Sequence, residues 1–340
     1  MKKKSVILSI SVLLLVTIGG VTIISLLTSH PIHSPLSRYL YIDEDDNFDS
    51  ICVKMEKNLG AKSLNGLKFL GLCSKYKNHI HTGAYQFSQH HSTWRIFKDL
   101  QAGHQTPVKM VVPSTRTVSQ LIKRISPQIM ADSASISQLL NDSAFIDSLG
   151  FNKATLPAFF IPNTYEVYWN MDARSFIRRM HREYNVFWNK KRIEQAKVLD
   201  LDPIEVSTLA SIVEEETANN AEKPKVAGLY LNRLNIGMPL QADPTIKFSL
   251  QDFGLKRILF KHLEVESPYN TYKYAGLPPG PIRIPSVVGL NSVLNRENHK
   301  YLYMCAKEDF SGTHNFASSL SQHMNNARRY QQALNRRKIK

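Results

Sequence analysis

The sequence predicts an α+β protein carried on an N-terminal membrane helix. Three observations point there. Ser5 to Ser29 is an uncharged, mostly apolar run. From Tyr41 to Ile125, short helix-like and strand-like patterns are mixed. Beyond Asp202, two well-capped helical patterns lead into polar loops, two strand-like segments and a closing helix. The expected order is a cytoplasmic tail at 1–4, a transmembrane helix at 5–29, a stalk at 30–45, a small α+β module at 46–125, a mostly helical connecting region at 126–200 and a C-terminal α+β domain at 201–336.

The apolar run is long enough to cross ~30 Å of hydrocarbon. It is too long for a usual signal-peptide core, and no clear small-residue cleavage site follows it. Lys2, Lys3 and Lys4 precede it, so the positive-inside rule leaves the N-terminus in the cytoplasm and places everything after His30 across the membrane. A cleaved signal peptide is the other reading, and it also exports the bulk of the chain. The formal net charge is +15 over 340 residues. Such a surplus suits a polyanionic partner or surface. Export turns that away from nucleic acid and toward a cell-envelope polymer or a lipid surface. Arg336, Arg337, Lys338 and Lys340 form a basic end expected to be solvated.

Residues 30–45 mix Pro, Ser and His with the acidic Asp43–Asp46 run and read as the stalk. In the small module, Phe48 to Asn58 and Trp94 to Leu100 read as helices. Gly83-Ala84-Tyr85-Gln86-Phe87 reads as a turn entering a strand, and Val108 to Val112 as a strand before Pro113. Another helix starts at Val118. The connecting region holds much of the positive charge at Arg178, Arg179, Arg182, Lys190, Lys191 and Arg192. Its aromatic segment, Phe159 to Trp169, is broken by Pro162 and cannot be one long helix. Those rings could be core or a wall for sugar rings. Cys52, Cys73 and Cys305 show no metal spacing, and Cys52 could pair with Cys73 if the fold brings them together. The histidines form no zinc pattern, so no metal and no cofactor is expected.

The chemistry concentrates at Asp202 to Thr217. Asp202 suits a helix N-cap, Pro203 the first helical position, and Glu205 can reach back as in a capping box. Val206, Leu209, Ala210 and Val213 mark one apolar face. At about 100° per residue the three closing glutamates diverge. Glu215 points opposite the stripe, toward solvent. Glu214 lies on its edge, and Glu216 projects between Leu209 and Ile212. A carboxyl on a buried face, near a helix C-terminus, holds its proton to higher pH, as a general acid requires. The bland alternative is a frayed acidic helix end with all three carboxylates in water.

Glu222 to Leu234 follows as a second helix stopped by Gly237. Then come Leu240-Gln241-Ala242-Asp243-Pro244-Thr245, Tyr269-Asn270-Thr271-Tyr272 and Gly276-Leu277-Pro278-Pro279-Gly280-Pro281-Ile282. These are loops dense in hydrogen-bonding groups, the last of them stiff. Tyr301 to Ala306 and Thr313 to Phe316 read as strands, and Ser321 to Leu334 as the closing helix.

These loops, with Ala210-Ser211-Ile212-Val213-Glu214-Glu215-Glu216-Thr217, Asn232-Arg233-Leu234 and His314-Asn315-Phe316, resemble the endolytic murein transglycosylases of the MltG/YceG-like family over essentially the full length. The resemblance implies a LysM-like module with its Gly-x-Tyr-x-Phe turn at Gly83–Phe87, and a catalytic domain with a lysozyme-like catalytic helix. It implies Glu216 as the catalytic acid, and Gln241, Asp243, Tyr269, Asn270, Thr271 and Tyr272 as substrate-binding residues. The implied reaction cleaves the β-1,4 bond between N-acetylmuramic acid and N-acetylglucosamine without water and leaves a 1,6-anhydro end. Implied partners are peptidoglycan strands, the inner membrane and wall-synthesis enzymes. Three positions depart from the family pattern. Ala242 stands where Thr or Ser is frequent, Asn163 where Asp is, and Glu215 where Lys is. Two other readings stay open. A hydrolase on the same fold would use Glu214 or Asp243 to activate water, and a scaffold would bind glycan without cleaving it.

Overall fold

The computed structural model describes residues 2–255 and 257–337 and divides them into two compact units. Met1, at the head of the expected tail, and Lys338 and Lys340 of the basic end lie outside the described residues. Unit one comprises Met1–Met110, Gln128–Met130 and Glu166–Asp172. Unit two comprises Val111–Pro127, Ala131–Tyr165 and Ala173–Lys340.

Unit one begins with helix α1, Lys2–Thr28. Its segment Ile7–Thr28, 22 residues, is long and apolar enough to cross a membrane. Strand β1 (Arg38–Ile42), helices α2 (Phe48–Leu59) and α3 (Asn65–Cys73), strand β2 (Gly83–Phe87) and helix α4 (Thr93–Ala102) follow. The two strands pair antiparallel, Arg38 opposite Phe87 and Ile42 opposite Gly83. Period-two alternation sends Leu40 and Ile42 inward onto Ile51, Met55 and Leu59 of α2. Residues 38–42 therefore belong to the core of this unit and are not part of a stalk. The acidic residues 43–46 hid the preceding strand, because only two of its five side chains face the core. Cys52 is buried, Cys73 is exposed, and both are free thiols, so the pairing left open above does not occur.

Next in the chain come strand β3 (Val108–Val112), helices α5 (Val118–Ile125), α6 (Ser133–Asn141) and α7 (Ser143–Ser148), and strand β4 (Asn163–Val167), which pairs with β3. The aromatic segment resolves mostly as core: Phe159, Phe160 and Tyr165 are buried, while Tyr168 is exposed.

The rest of unit two is helix α8 (Ala173–Phe187), α9 (Lys190–Val198), α10 (Pro203–Glu216), α11 (Lys223–Asn235), α12 (Asp243–Leu250), α13 (Phe260–Leu263) and α14 (Val287–Leu294), then strands β5 (Tyr303–Ala306) and β6 (His314–Ala317) and helix α15 (Leu320–Arg336). Strands β5 and β6 form an antiparallel hairpin. Helix α10 is the hub, packing on α11, α12 and α14. It departs from a one-faced amphipathic helix, since every side chain from Val206 to Val213 is buried. Ser207, Thr208 and Ser211 tolerate this because their hydroxyls donate to carbonyls of the preceding turn at 2.7–2.8 Å. Ser211 also accepts the Ile282 N–H at 3.0 Å, which ties α10 to the proline-rich loop. Gly280 in that loop passes so close to Ala154 that a Cβ would stand 2.1 Å from its carbonyl oxygen.

The start of α10 is as expected. Asp202 accepts from the Ile204 and Glu205 N–H groups at 2.7 and 2.8 Å, and Glu205 reaches back to the Asp202 N–H at 2.8 Å. Asp202→Ala should lower the unfolding free energy by about 1 kcal/mol. Urea titration of the wild type and the variant measures that difference.

Candidate active site

The three glutamates that close α10 go to three different places. Glu214 accepts the Ser286 N–H at 2.7 Å and so satisfies the start of α14. Glu215 corrects the expectation of a solvated side chain. Arg116 grips it with two nitrogens at 3.1 and 3.2 Å, and Arg283 adds a third contact at 2.8 Å. Arg283 in turn donates to the Ser114 hydroxyl at 2.7 Å. The helical wheel put Glu215 opposite the apolar stripe correctly, but residues 114–116, far away in sequence, cover that side.

Glu216 opens onto a cavity of about 200 Å³ lined by Leu229, Tyr230, Arg233, Leu240, Gln241, Asp243, Tyr272 and Met304. The Tyr230 hydroxyl donates to its Oε1 at 2.8 Å. Burial pushes the Glu216 pKa up to about 7. The Tyr230 hydrogen bond opposes that shift, Asp243 reinforces it, and Arg233 and Lys247 oppose it. Burial wins because a carboxylate removed from water loses more than one hydroxyl returns. The same enclosure and the neighbouring carboxylate raise the Tyr230 phenol well above its usual range, so it stays a hydrogen-bond donor. A carboxyl that keeps its proton near neutrality and opens onto a cavity is equipped for general acid–base chemistry.

Tyr230 and Arg233 come from one face of α11, three residues apart. Arg233 is buried and holds three carbonyls: Leu302 at 2.6 Å, Leu240 at 2.7 Å and Pro239 at 3.3 Å. It fixes the loop before α12 and the strand β5 around the cavity. Asn232 beside it donates to the carbonyls of His299 and Tyr301 at 2.8 and 3.0 Å. The Asn-Arg-Leu stretch is thus a clamp between α11 and the β5 side. Neither Tyr230 nor Arg233 was among the candidate residues. Tyr230 occupies an apolar position of α11, and its three-residue spacing from Arg233 is the local sign that the two act together.

The remaining candidates divide by depth. Gln241, Asp243 and Tyr272 line the cavity with Glu216, and the Tyr272 hydroxyl donates to Asp243 Oδ1 at 2.5 Å. Asn270 and Thr271, expected on the cleft wall, lie behind it. Asn270 is fully buried and donates to the Leu263 and Val265 carbonyls at 2.8 and 2.9 Å. Thr271 takes the Ala242 N–H at 3.0 Å on its hydroxyl and the Gln241 N–H at 3.0 Å on its carbonyl. Tyr269 packs on Phe248 with ring centroids 4.6 Å apart. These buried groups are satisfied by backbone and hold the loop that presents Gln241 and Asp243. Gln241 carries a φ of +49°, a left-handed backbone rarely taken by a residue with a side chain.

Past the helix end, Glu222 accepts the Thr217 hydroxyl at 3.1 Å and the His314 N–H at 2.8 Å, with His314 Nδ1 at 2.8 Å. The chain after Glu216 is pinned to β6 by this carboxylate. Among the described residues, no group of three or more His, Cys, Asp or Glu is arranged to hold a metal.

A model of the YceG-like family matches residues 40–329. A Bacillus subtilis protein named endolytic murein transglycosylase is 29% identical over 230 residues, 63% of this chain and 63% of its own length. A Streptococcus pneumoniae protein of the same name is 27% identical over 315 residues, 81% of this chain and 56% of its own. The chain thus spans about three fifths of the length of these relatives. Among solved structures, a YceG-like protein from Listeria monocytogenes superposes with a TM-score of 0.56 at 26% identity, covering 86% of this chain and 99% of that one.

Proposed function

The chain belongs to the YceG-like family, and from that premise we propose that it is a membrane-anchored endolytic transglycosylase of peptidoglycan. The observation that carries the proposal is Glu216, whose pKa is raised to about 7 beside a cavity that also holds Asp243, Gln241 and Tyr272. The names of the relatives support the substrate.

In this reading, protonated Glu216 gives its proton to the glycosidic oxygen between N-acetylmuramic acid and N-acetylglucosamine. The C6 hydroxyl of the muramic residue attacks its own anomeric carbon, and the Glu216 carboxylate takes the hydroxyl proton. One bond to the anomeric carbon breaks, one forms, and a 1,6-anhydro end results. The attack is intramolecular, which gives it a large advantage over water. The substrate's acetamido group relieves charge at the anomeric carbon in place of a carboxylate nucleophile. Gln241, Asp243 and Tyr272 contact the sugars, while Tyr269, Asn270 and Thr271 hold the loop that carries them. Helix α10 is the catalytic helix, and β1, α2, α3 and β2 form the LysM-like module. Helix α1 anchors the chain in the inner membrane with the N-terminus in the cytoplasm, and both units act outside it, on strands made by wall-synthesis enzymes.

A second reading has one observation in its favour. Asp243 is a second carboxylate in the same cavity and could activate water. Glu214 is less suited, being engaged with Ser286. Mass analysis of fragments released from purified sacculi separates the two. Anhydro ends are expected, and products heavier by one water would transfer the assignment to a hydrolase.

The acid also sets a pH limb. Its carboxyl must be protonated to act, so the rate should fall about tenfold per unit as pH rises above about 7. Asp243 raises the Glu216 pKa, so Asp243→Asn should move that limb to lower pH. Rates measured across pH for both proteins check the sign. A limb that stays in place after the substitution would remove Asp243 from the electrostatics.

A further inference from the structure

We infer that unit one carries a bilayer-contacting surface beside the exit of α1, built from Phe69, Leu72 and Trp94 with Lys62, Lys68 and Lys98, whose partner is the headgroup layer of an anionic membrane. The inference rests on the reading of α1 as a membrane span.

The position of this surface follows from how α1 meets the rest of its unit. Side chains along α1 from Ile7 to Ser25 are exposed apart from Gly20, while Leu26, Leu27 and Ser29 are half-buried. Among the described side chains of α1, the last turn is therefore the part that is gripped. Two helix starts grip it. At α3, Gly66 lies so near that a Cβ would stand 2.5 Å from the Leu26 carbonyl oxygen. At α4, the Thr93 N–H donates to the Ser29 carbonyl at 2.8 Å, and the two hydroxyls are 2.9 Å apart. At 1.5 Å per residue, the 22 residues Ile7–Thr28 rise about 33 Å, which fills the hydrocarbon and leaves Leu26 to Ser29 at its boundary. Gly66 and Thr93 then stand at headgroup level.

The side chains next to these anchors are unusual for a water-facing surface. Trp94 follows Thr93 directly and is 45% exposed. On α3, Phe69 is 37% and Leu72 72% exposed. They lie three and six residues past Gly66, so at most about 5 and 9 Å farther along the helix axis, within reach of the interfacial layer. Tryptophan favours this layer because its ring is apolar and its N–H is polar. On α3 and α4 basic residues outnumber acidic ones. Lys62, Lys68 and Lys98 are exposed, and the Lys62 N–H donates to the Pro31 carbonyl near the same exit. The Lys98 ammonium sits 5.0 Å from the centre of the Trp94 ring. Helix α3 has no acidic residue, and the one acid of α4, Asp99, is held by Arg95 at 2.8 Å. Exposed rings flanked by exposed lysines complement anionic headgroups over an acyl layer.

The test uses the full-length chain in vesicles of phosphatidylglycerol and a phosphatidylcholine brominated near the headgroup end of its acyl chains. Trp94 is one of three tryptophans, so Trp94→Phe identifies its signal. The ring is half-exposed, and the substitution should leave the fold intact. Bromine quenching in the wild type and its loss in Trp94→Phe are expected. Replacing Lys62, Lys68 and Lys98 together with Gln should weaken the quenching and remove its sensitivity to salt. Protein that withstands an alkaline carbonate wash yet is quenched equally with and without Trp94, or not at all, overturns the surface while the span stands. An unquenched but blue-shifted Trp94 would mean that a second protein copy covers it, which also overturns the proposal. Protein stripped by the wash overturns the span, and the surface with it.

Discussion

Glu216→Gln should reduce release of soluble fragments from purified sacculi by roughly 10²–10⁴-fold while the protein stays folded. The amide is the same size as the carboxyl and can still accept from Tyr230 at Oε1, so the hydrogen bond at 2.8 Å has a replacement. It cannot give up a proton to a leaving oxygen. Stability should change in a direction that the raised pKa fixes. A carboxyl whose folded pKa of about 7 exceeds its unfolded value is stabilising as the acid and penalised as the carboxylate. The wild type therefore loses stability as pH rises from the ordinary carboxyl range through about 7, and the amide variant does not. Above neutrality, Glu216→Gln should unfold no earlier than the wild type. Undiminished fragment release by the variant would exclude Glu216 as the acid. Lost activity accompanied by early unfolding would point to a structural role.

Arg233→Met should lower stability by roughly 3–5 kcal/mol, because it strands three carbonyls that a buried guanidinium satisfies. Methionine matches the length of the stem and offers no donor. The loss falls where α11, the loop before α12 and β5 converge, so activity should decline with stability. Guanidinium unfolding curves for the wild type and the variant give the difference. A midpoint that does not move would mean that water reaches those carbonyls and that the clamp is weak.

Local signals in the chain are legible where one residue type has one physical use. The Asp202, Pro203 and Glu205 start of α10 needed no tertiary information, since a cap is satisfied by its own helix. The same holds for α2, for α5 at Val118–Ile125, and for the strands at Gly83–Phe87 and Val108–Val112. Strand β1 was lost to its acidic neighbours. The start of helix α12 is hidden in the sequence, because Asp243-Pro244-Thr245 signals a turn as strongly as a helix N-terminus. The inward direction of Glu216 followed from helical periodicity. Its hydroxyl partner did not, since a tyrosine at an apolar position announces nothing about its oxygen.

What the sequence determined alone is therefore the long apolar N-terminal helix, the capped start of α10 and which of three adjacent glutamates turns toward the core. The fold decided everything that depends on chain segments far apart meeting. It placed Arg116 and Arg283 over Glu215, set Asn270 and Thr271 behind the cavity wall rather than on it, and brought Tyr230 and Asp243 to bear on one carboxyl. The physical reason is range. Helical phase and capping act over a few residues and are written locally, whereas desolvation and charge coupling depend on which distant segments close over a group.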